Sequence, residues 1–442
     1  MPSSERAIGI WGLGRDGAAA ARFLRDQNPT ASITLLSDNS EEAVPAALAD
    51  FPLRVGDQAR EAIVSGSFDL IVKSPGVPII RPEIASAVAN GTRFTSGTNL
   101  WFESAKPARS VAVTGTKGKS TTSLLIHSIA KATGAGSKLL GNGGVPALSE
   151  QAGADLTVLE LSSYQCADLA HGPDIVVFTN LFPEHVPWHG SVEEYYAAKL
   201  RLAQLRPETQ VIANARDAQL RSRLAGRDAV IWFNSHDGYH ERDGKLYYRD
   251  DRVELKGSPP RGAHNIGNLA AAATVIRFLG LITDPLNIDL GRYGDLPHRL
   301  QIIELPDDIS AVDDSISTIP EATIAALSLF PERRVHAILG GSDRGQDYAG
   351  LADVMAKRGV ITAYLLPHTG DRIGEILAAR APRVGRHSCD DLPAAMSVIN
   401  ANIAPGDVIL LSPAAPSHAQ YSNFEERGRH FQSLLGGLSS KA

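Results

Sequence analysis

Short apolar runs rich in Val, Ile, Leu and Ala recur along the chain, separated by longer stretches of helical spacing. The runs at Ala7–Ile10, Ser32–Leu36, Asp69–Lys73, Val111–Thr114, Leu156–Leu161, Ile175–Phe178 and Val211–Ala213 read as strands. So do a run ending at Asp313 and those at Val335–Leu339, Ile361–Leu366 and Val408–Leu411. Near-continuous apolarity, in place of strict alternation, suits strands covered on both faces of a parallel sheet. Between them, Ala18–Arg25, the segment opened by Lys119 and Ser120 (apolar face Leu125, Ile129, Ala132), Val192–Leu205 and Leu269–Leu279 read as helices. The stretch Trp232–Val253 reads as hairpin-like, with Asp237-Gly238 and Asp243-Gly244 as turn signals. Strands alternating with helices throughout predict an α/β chain of three domains, 1–107, 108–296 and 297–442, the first boundary falling at Ala105–Arg109.

Composition narrows the function classes. The 442 residues carry 43 Lys+Arg against 49 Asp+Glu, a net charge of -6, with no basic block, which argues against nucleic acid as a partner. Cys166 and Cys389 lie far apart without metal-ligand spacing, as expected of a reducing compartment and no structural zinc. Glu5, Arg6, Arg15 and Asp16 flank and interrupt the first apolar run, so neither a signal peptide nor a membrane span is expected, and the cytoplasm is the default location.

The chemistry concentrates at residues 110–120, SVAVTGTKGKS. A strand runs into Gly115-Thr116-Lys117-Gly118 and then a helix opens at Lys119 and Ser120. Glycines let backbone N–H groups converge on phosphate oxygens, and the helix start adds unpaired donors with partial positive charge. Lys119 brings a mobile charge for the outer phosphates, and the Ser120 or Thr121 hydroxyl suits Mg²⁺. The motif is shorter than the eight-residue Walker A pattern, yet its strand–loop–helix context predicts ATP binding. Glu160, at the carboxyl end of a neighbouring strand, is placed as Mg²⁺ ligands are in open α/β sheets. His185 and His189 follow another strand, as ligands, phosphate contacts or structural histidines. Lys199 reads as a solvated helix lysine. Asn265 and Asn268, one turn apart, suit either a base edge or a helix cap.

At the N-terminus, Gly12-Leu-Gly14-Arg15-Asp16-Gly17 and Asp38 after the second strand form a dinucleotide-type fingerprint. Taken alone it would suggest NAD and an oxidoreductase, but helix–strand packing also favours glycine there, and no hydride-acceptor constellation accompanies it.

In order, G-T-K-G-K-S-T at 115–121, E-L-S-S-Y-Q at 160–165, N-L-F-P-E-H at 180–185, G-A-H-N-I-G-N at 262–268, L-P-H-R at 296–299, D-D-S at 313–315 and S-P at 412–413 resemble the Mur ligases, the ATP-dependent peptidoglycan ligases, over nearly the whole chain. The resemblance implies a Rossmann-like N-terminal UDP-binding domain, a central P-loop ATPase-like domain with a parallel sheet, and a Rossmann-like C-terminal domain that binds the amino acid. It implies Gly115, Thr116, Lys117, Gly118, Lys119, Ser120 and Thr121 on ATP, with Ser120, Glu160, His185 and a carbamylated Lys199 holding Mg²⁺. Lys119, His185 and Lys199 would be the catalytic residues. Asn265 and Asn268 would read adenine, and Arg299 and Asp314 would complete the nucleotide site. Gly14, Arg15, Asp16, Asp38 and Asn39 would meet UDP, while Asn142 and Ser162 would meet the muramoyl group.

The short first domain resembles the branch that adds glutamate to UDP-N-acetylmuramoyl-L-alanine. Where D-glutamate-adding members have D-S-K-A-T-N, this chain has Asp314-Ser-Ile316-Ser-Thr318, and Arg344 stands at another carboxylate-lysine position. These runs look like the variant ligases that add L-glutamate, with Thr318, Arg344, Ser417 and Phe424 on that amino acid. The usual D-H-x-D is Glu184-His185-Val-Pro187 here, and Lys117 replaces the common asparagine. The expected reaction passes through an acyl phosphate on a monomeric enzyme; the D-glutamate ligase, a folate-polyglutamate ligase, an oxidoreductase and an ATP-driven binding protein are the alternatives.

Overall fold

The computed structural model describes residues 6–45, 48–105, 108–142, 145–150, 153–260, 262–291, 298–343, 346–417 and 420–437. By compactness the chain divides into two units, Met1–Tyr293 and Gly294–Ala442.

The first unit holds two larger sheets. One is parallel, with strands in the spatial order Leu53–Val55, Ser32–Ser37, Ala7–Trp11, Leu70–Lys73 and Arg93–Thr95. Its order reverses between Ala7–Trp11 and Leu70–Lys73, the place where open α/β sheets leave a crevice at their carboxyl ends. The other is also parallel: Ile231–Phe233, Gln210–Asn214, Ile175–Phe178, Ser110–Thr114, Leu156–Glu160 and Ser137–Gly141. Ser110–Thr114 sits inside it because its residues are apolar enough to be covered on both faces, and all are buried. The helices Lys119–Ala132 and Ala263–Phe278 cover one face around Val113, Ile129, Leu269 and Ile276. On the other face a continuous apolar cluster runs from Ile10, Leu24 and Trp101 through Leu148 to Leu159, Phe178 and Tyr195, so the two sheets share a core.

The second unit has one sheet, ordered Gln301–Glu304, Ser310–Asp313, Val408–Leu411, Val335–Gly341, Ile361–His368 and Gly385–Ser388; the first strand is antiparallel and the rest are parallel. Val312, Leu339 and Leu377 mark the core on one face, Ile338, Leu392 and Phe431 that on the other. The α/β class with three parallel-type sheets matches the reading from sequence.

Element boundaries differ in instructive places. The helix expected from Leu269 begins at Ala263, so the amide motif lies inside its first turns. Its cap is Gly262, without a side-chain bond, which removes the capping alternative for Asn265 and Asn268. The helix expected to reach Leu205 ends at Leu200 and tightens into the turn Arg201–Ala203. Within the expected hairpin region Ile231–Phe233 joins the large sheet, while Tyr239–Arg242 and Lys245–Tyr248 form the hairpin around Asp243-Gly244.

Candidate active site at the phosphate loop

Gly118 caps the helix Lys119–Ala132 with φ +82°, and a Cβ there would lie 2.5 Å from Asn268 Oδ1. Glycine is needed on both counts, and the contact shows that the amide helix reaches the phosphate loop. Asn268 donates to Asn265 Oδ1 at 3.2 Å. A cavity of about 690 Å³ opens at Ala263, the start of the same helix, lined also by Arg216, Asn234, His240 and Glu241.

Lys119 Nζ donates to the carbonyls of Gly115 (3.1 Å) and Thr116 (2.9 Å). Burial pulls its pKa down, against the attraction of Glu160 and Glu184. Ser120 Oγ donates to Glu160 Oε1 at 3.0 Å, and Asn142 Nδ2 donates to the same oxygen at 3.2 Å. Lys199 is not solvated: it is fully buried, 2.9 Å from Gly115 O and 3.5 Å from Thr114 Oγ1. Burial and then repulsion from Lys119 bring its pKa down to about 7. The expectation from composition failed because Val192–Leu200 turns this face to the loop, where Tyr195 OH also meets Thr116 Oγ1 at 2.9 Å. Tyr195 escaped notice in the sequence, although its spacing from Lys199 puts both on one helix face.

His185 takes φ +56°, and its ring stands about half exposed beside Glu184, at 3.9 Å. Burial lowers its pKa and Glu184 opposes that shift. His189 is tied to Ser163 Oγ at 3.0 Å and driven down to about 4 by burial and Lys199, which makes it a packing and positioning group. Thr121 is buried in the first turn of the loop's helix.

Oxygen donors at Ser120 and Glu160 suit a hard cation, yet among the described residues no group of three His, Cys, Asp or Glu side chains gathers around one point. That donor set fits Mg²⁺ completed by phosphate oxygens and water, rather than a protein cage. Ser162 is a helix cap, accepting from Gln165 N at 3.2 Å in a capping box.

At the first sheet, Gly12 takes φ +100°, and a Cβ on Gly17 would fall 1.9 Å from Gly12 O. The glycines thus serve a tight strand-to-helix turn, with Gly14 at the cap and Arg15 and Asp16 opening the helix. Burial raises the Asp16 pKa, Arg15 opposing. Asp38 accepts from Arg81 Nη1 (2.7 Å) and Trp11 Nε1 (3.2 Å), and Asn39 Oδ1 accepts from Glu41 N. This turn is joined to the loop region: Ser74 Oγ donates to Gly12 O, Lys73 pairs with Asp168 at 2.5 Å, and Trp188 Nε1 reaches Gly76 O at 3.1 Å. The partners are far apart in sequence, and no local pattern announces them.

In the second unit Asp314 is buried, accepting from Ser412 Oγ (2.7 Å), Ser317 Oγ (2.5 Å) and Leu300 N (3.2 Å), and burial raises its pKa to about 6. Arg299 lies next to the loop that bonds it and lowers that pKa. Phe424 opens a helix and its carbonyl accepts from Ser315 Oγ; Thr318 O accepts from Gln346 Nε2; Ser417 is buried. Arg344 lies outside the described residues. Sequence reading missed Arg427, buried and donating to Ser315 O, Ser315 Oγ and Ala415 O, which stitches this end of the sheet together.

An anion loop, a carboxylate, the partly buried Lys119 and the buried Lys199 at the carboxyl ends of a parallel sheet define a nucleotide-dependent enzyme site. Family models agree: the Mur ligase middle domain matches residues 113–276, the Mur ligase glutamate ligase domain 298–415, and the Mur ligase MurD-like N-terminal domain 6–96. The chain belongs to the Mur ligase family. A relative from Xanthomonas oryzae pv. oryzae, named UDP-N-acetylmuramoyl-L-alanine--L-glutamate ligase, is 40% identical over 98% of this chain and 95% of its own length. One of the same name from Xylella fastidiosa is 37% identical over 97% and 95%. The solved UDP-N-acetylmuramate-alanine ligase MurC of Thermotoga maritima shares the fold, with a TM-score of 0.62 at 18% identity, covering 98% of this chain and 100% of that one. No helix among the described residues is long and apolar enough to cross a membrane.

Proposed function

We propose that this Mur ligase joins L-glutamate to UDP-N-acetylmuramoyl-L-alanine at the expense of ATP, in peptidoglycan precursor synthesis. The observation that carries the reading is the loop at 115–121, with Lys119, Lys199 and the Ser120–Glu160–Asn142 cluster gathered on it. The near full-length relatives named for that reaction support the choice of substrates.

A carboxylate does not condense with an amine in water, so the acid must be activated. The L-alanyl carboxylate oxygen attacks the γ-phosphorus, the bond to the β-phosphate oxygen breaks, and ADP leaves an acyl phosphate behind. The glutamate amine, having lost its proton, attacks the acyl carbon; the tetrahedral oxyanion collapses, phosphate departs and the amide remains. Lys119 faces the spreading phosphoryl charge once its carbonyl bonds are exchanged for phosphate oxygens. Ser120 and Glu160, with His185 and a carbamylated Lys199 near them, would be the protein's share of a Mg²⁺ site otherwise completed by phosphate oxygens and water, and the ion would supply charge neutralisation for the phosphoryl group. A pKa of about 7 keeps much of Lys199 as the free amine that reacts with CO₂, and the carbamate converts a cation into an oxygen ligand.

Asn265 and Asn268, in the first turns of the helix whose first residue, Ala263, lines the cavity, hold the base. Gly14, Arg15, Asp16, Asp38 and Asn39 take UDP, and Asn142 and Ser162 the muramoyl group. Arg299 and Asp314 complete the nucleotide site, and Thr318, Arg344, Ser417 and Phe424 take the amino acid. The three domains are assigned to 1–107, 108–296 and 297–442, in a monomeric cytoplasmic enzyme. Lys119→Ala tests the core of this reading: phosphate release dependent on the UDP substrate disappears, and retention of that activity removes the loop from the mechanism.

A further inference from the structure

The phosphate loop carries a second lysine whose partner lies on the segment of His185. Lys117 Nζ is 2.8 Å from Glu184 Oε1, with the two side chains 41% and 29% exposed. The main chain of Lys117 is fixed on both sides. Its N–H donates to Asn180 Oδ1 at 2.8 Å, and its carbonyl accepts from Asn180 Nδ2 (3.0 Å) and Thr179 Oγ1 (2.6 Å). Freedom is left to the side chain alone. Glu184 in turn has its other oxygen 3.9 Å from His185 Nε2. Three lysines, Lys117, Lys119 and Lys199, face two carboxylates, Glu160 and Glu184, around this loop. Of the three, Lys119 and Lys199 are spent on main-chain carbonyls beneath it, and Lys117 is the one held by a side chain at its rim.

We infer that Lys117 and Glu184 form an ionic latch over the phosphate loop, closed without nucleotide and exchanged for the terminal phosphates when ATP binds. Lys117 then faces phosphate oxygens, and Glu184 is freed beside His185. An exposed ion pair is weak and reforms readily, whereas a polyphosphate offers several charged acceptors to the same ammonium group. Glu184 is therefore a competitor of the nucleotide for Lys117. Removing one partner must act on nucleotide affinity with the opposite sign from removing the other. A pair that served only to hold the loop in shape would give losses of the same sign. The inference rests on the ATP site of the ligase reading.

The test is equilibrium binding of ATP to the full chain in EDTA, with thermal melts confirming that each variant is folded. Lys117→Met should bind on the order of tenfold more weakly, while Lys117→Arg keeps most of the affinity. Glu184→Gln should bind more tightly, by roughly twofold to fivefold, and the double variant should follow Lys117→Met. With Mg²⁺ added, the advantage of Glu184→Gln should shrink, because the freed carboxylate of the wild-type protein lies next to the metal loop. Weaker binding by both single variants, or no change in either, overturns the latch while leaving the ATP site intact. A wild-type chain that binds no ATP either in EDTA or with Mg²⁺ overturns the ligase reading, and the latch with it.

Discussion

Lys73→Met removes one end of a buried ion pair and so tests how the first two sheets are held together. Lys73 ends a strand of the first sheet, and Asp168 ends the helix Ser163–Asp168 of the central sheet; their side chains are 4% and 6% exposed and the charged atoms are 2.5 Å apart. Lys73 Nζ also donates to Val77 O, and Asn99 Nδ2 to Asp168 O. Burial pushes Asp168 up and Lys73 down, each held back by the other's charge. Stripping away the ammonium strands the carboxylate, at a cost of about 3–5 kcal/mol for a buried pair broken on one side. Protonation of Asp168 caps the loss, so about 3 kcal/mol is the working value. Trp11, Trp101, Trp188 and Trp232 all lie in the first unit, so tryptophan emission during urea titration reports that unit alone. At an m-value of about 3 kcal/mol/M the midpoint should fall by roughly 1 M. In the variant the folded-state pKa of Asp168 lies above its unfolded value. The folded state then binds more protons, and stability falls as pH rises from about 4 through that raised pKa. The deficit should therefore be smallest in acid. Asp168→Asn with Lys73→Met should cost less than the sum of the singles by at least about 1 kcal/mol. An unmoved midpoint, or strict additivity, would refute the role assigned to the pair.

Two further substitutions probe the loop. Lys199→Met should abolish ligation, with partial rescue by a small added carboxylic acid, and no rescue would count against the carbamate. The same variant should gain stability at pH 7, by up to about 4 kcal/mol, where the buried amine of the uncarbamylated chain is partly charged. The folded pKa of about 7 lies below the unfolded one, so the wild-type chain recovers stability as pH rises from 7 towards 10.5, and the gap in urea midpoint should close over that interval. Gly118→Ala places a Cβ at φ +82° and 2.5 Å from Asn268 Oδ1. It should cost about 1–2 kcal/mol and weaken nucleotide binding, and a variant with wild-type ATP affinity would show that loop and amide helix need not touch.

What the sequence disclosed and what it withheld follow from range. Ser110–Thr114, Ile175–Phe178 and Val408–Leu411 were readable because interior parallel strands are apolar on both sides and short enough to stand out. Leu53–Val55 and Gly385–Ser388 were not, since edge strands covered on few sides tolerate Arg54, Arg386 and His387. The loop at 115–120 was legible because its chemistry is contiguous. Composition makes Lys199 look solvated, because only the tertiary turn of its helix buries it. Lys73–Asp168, Lys117–Glu184 and Trp188–Gly76 join residues 95, 67 and 112 positions apart, and nothing local encodes such pairings. The chemical roles were carried by the ordered motifs, and the supporting contacts emerged with the fold.

The direct measurement is product formation from UDP-N-acetylmuramoyl-L-alanine, ATP and Mg²⁺ with each glutamate enantiomer in turn, following ADP, phosphate and the new amide together. L-Glutamate should give one amide per ADP and per phosphate, with D-glutamate far slower. Amide from D-glutamate alone, or ADP release without an amide, would contradict the account.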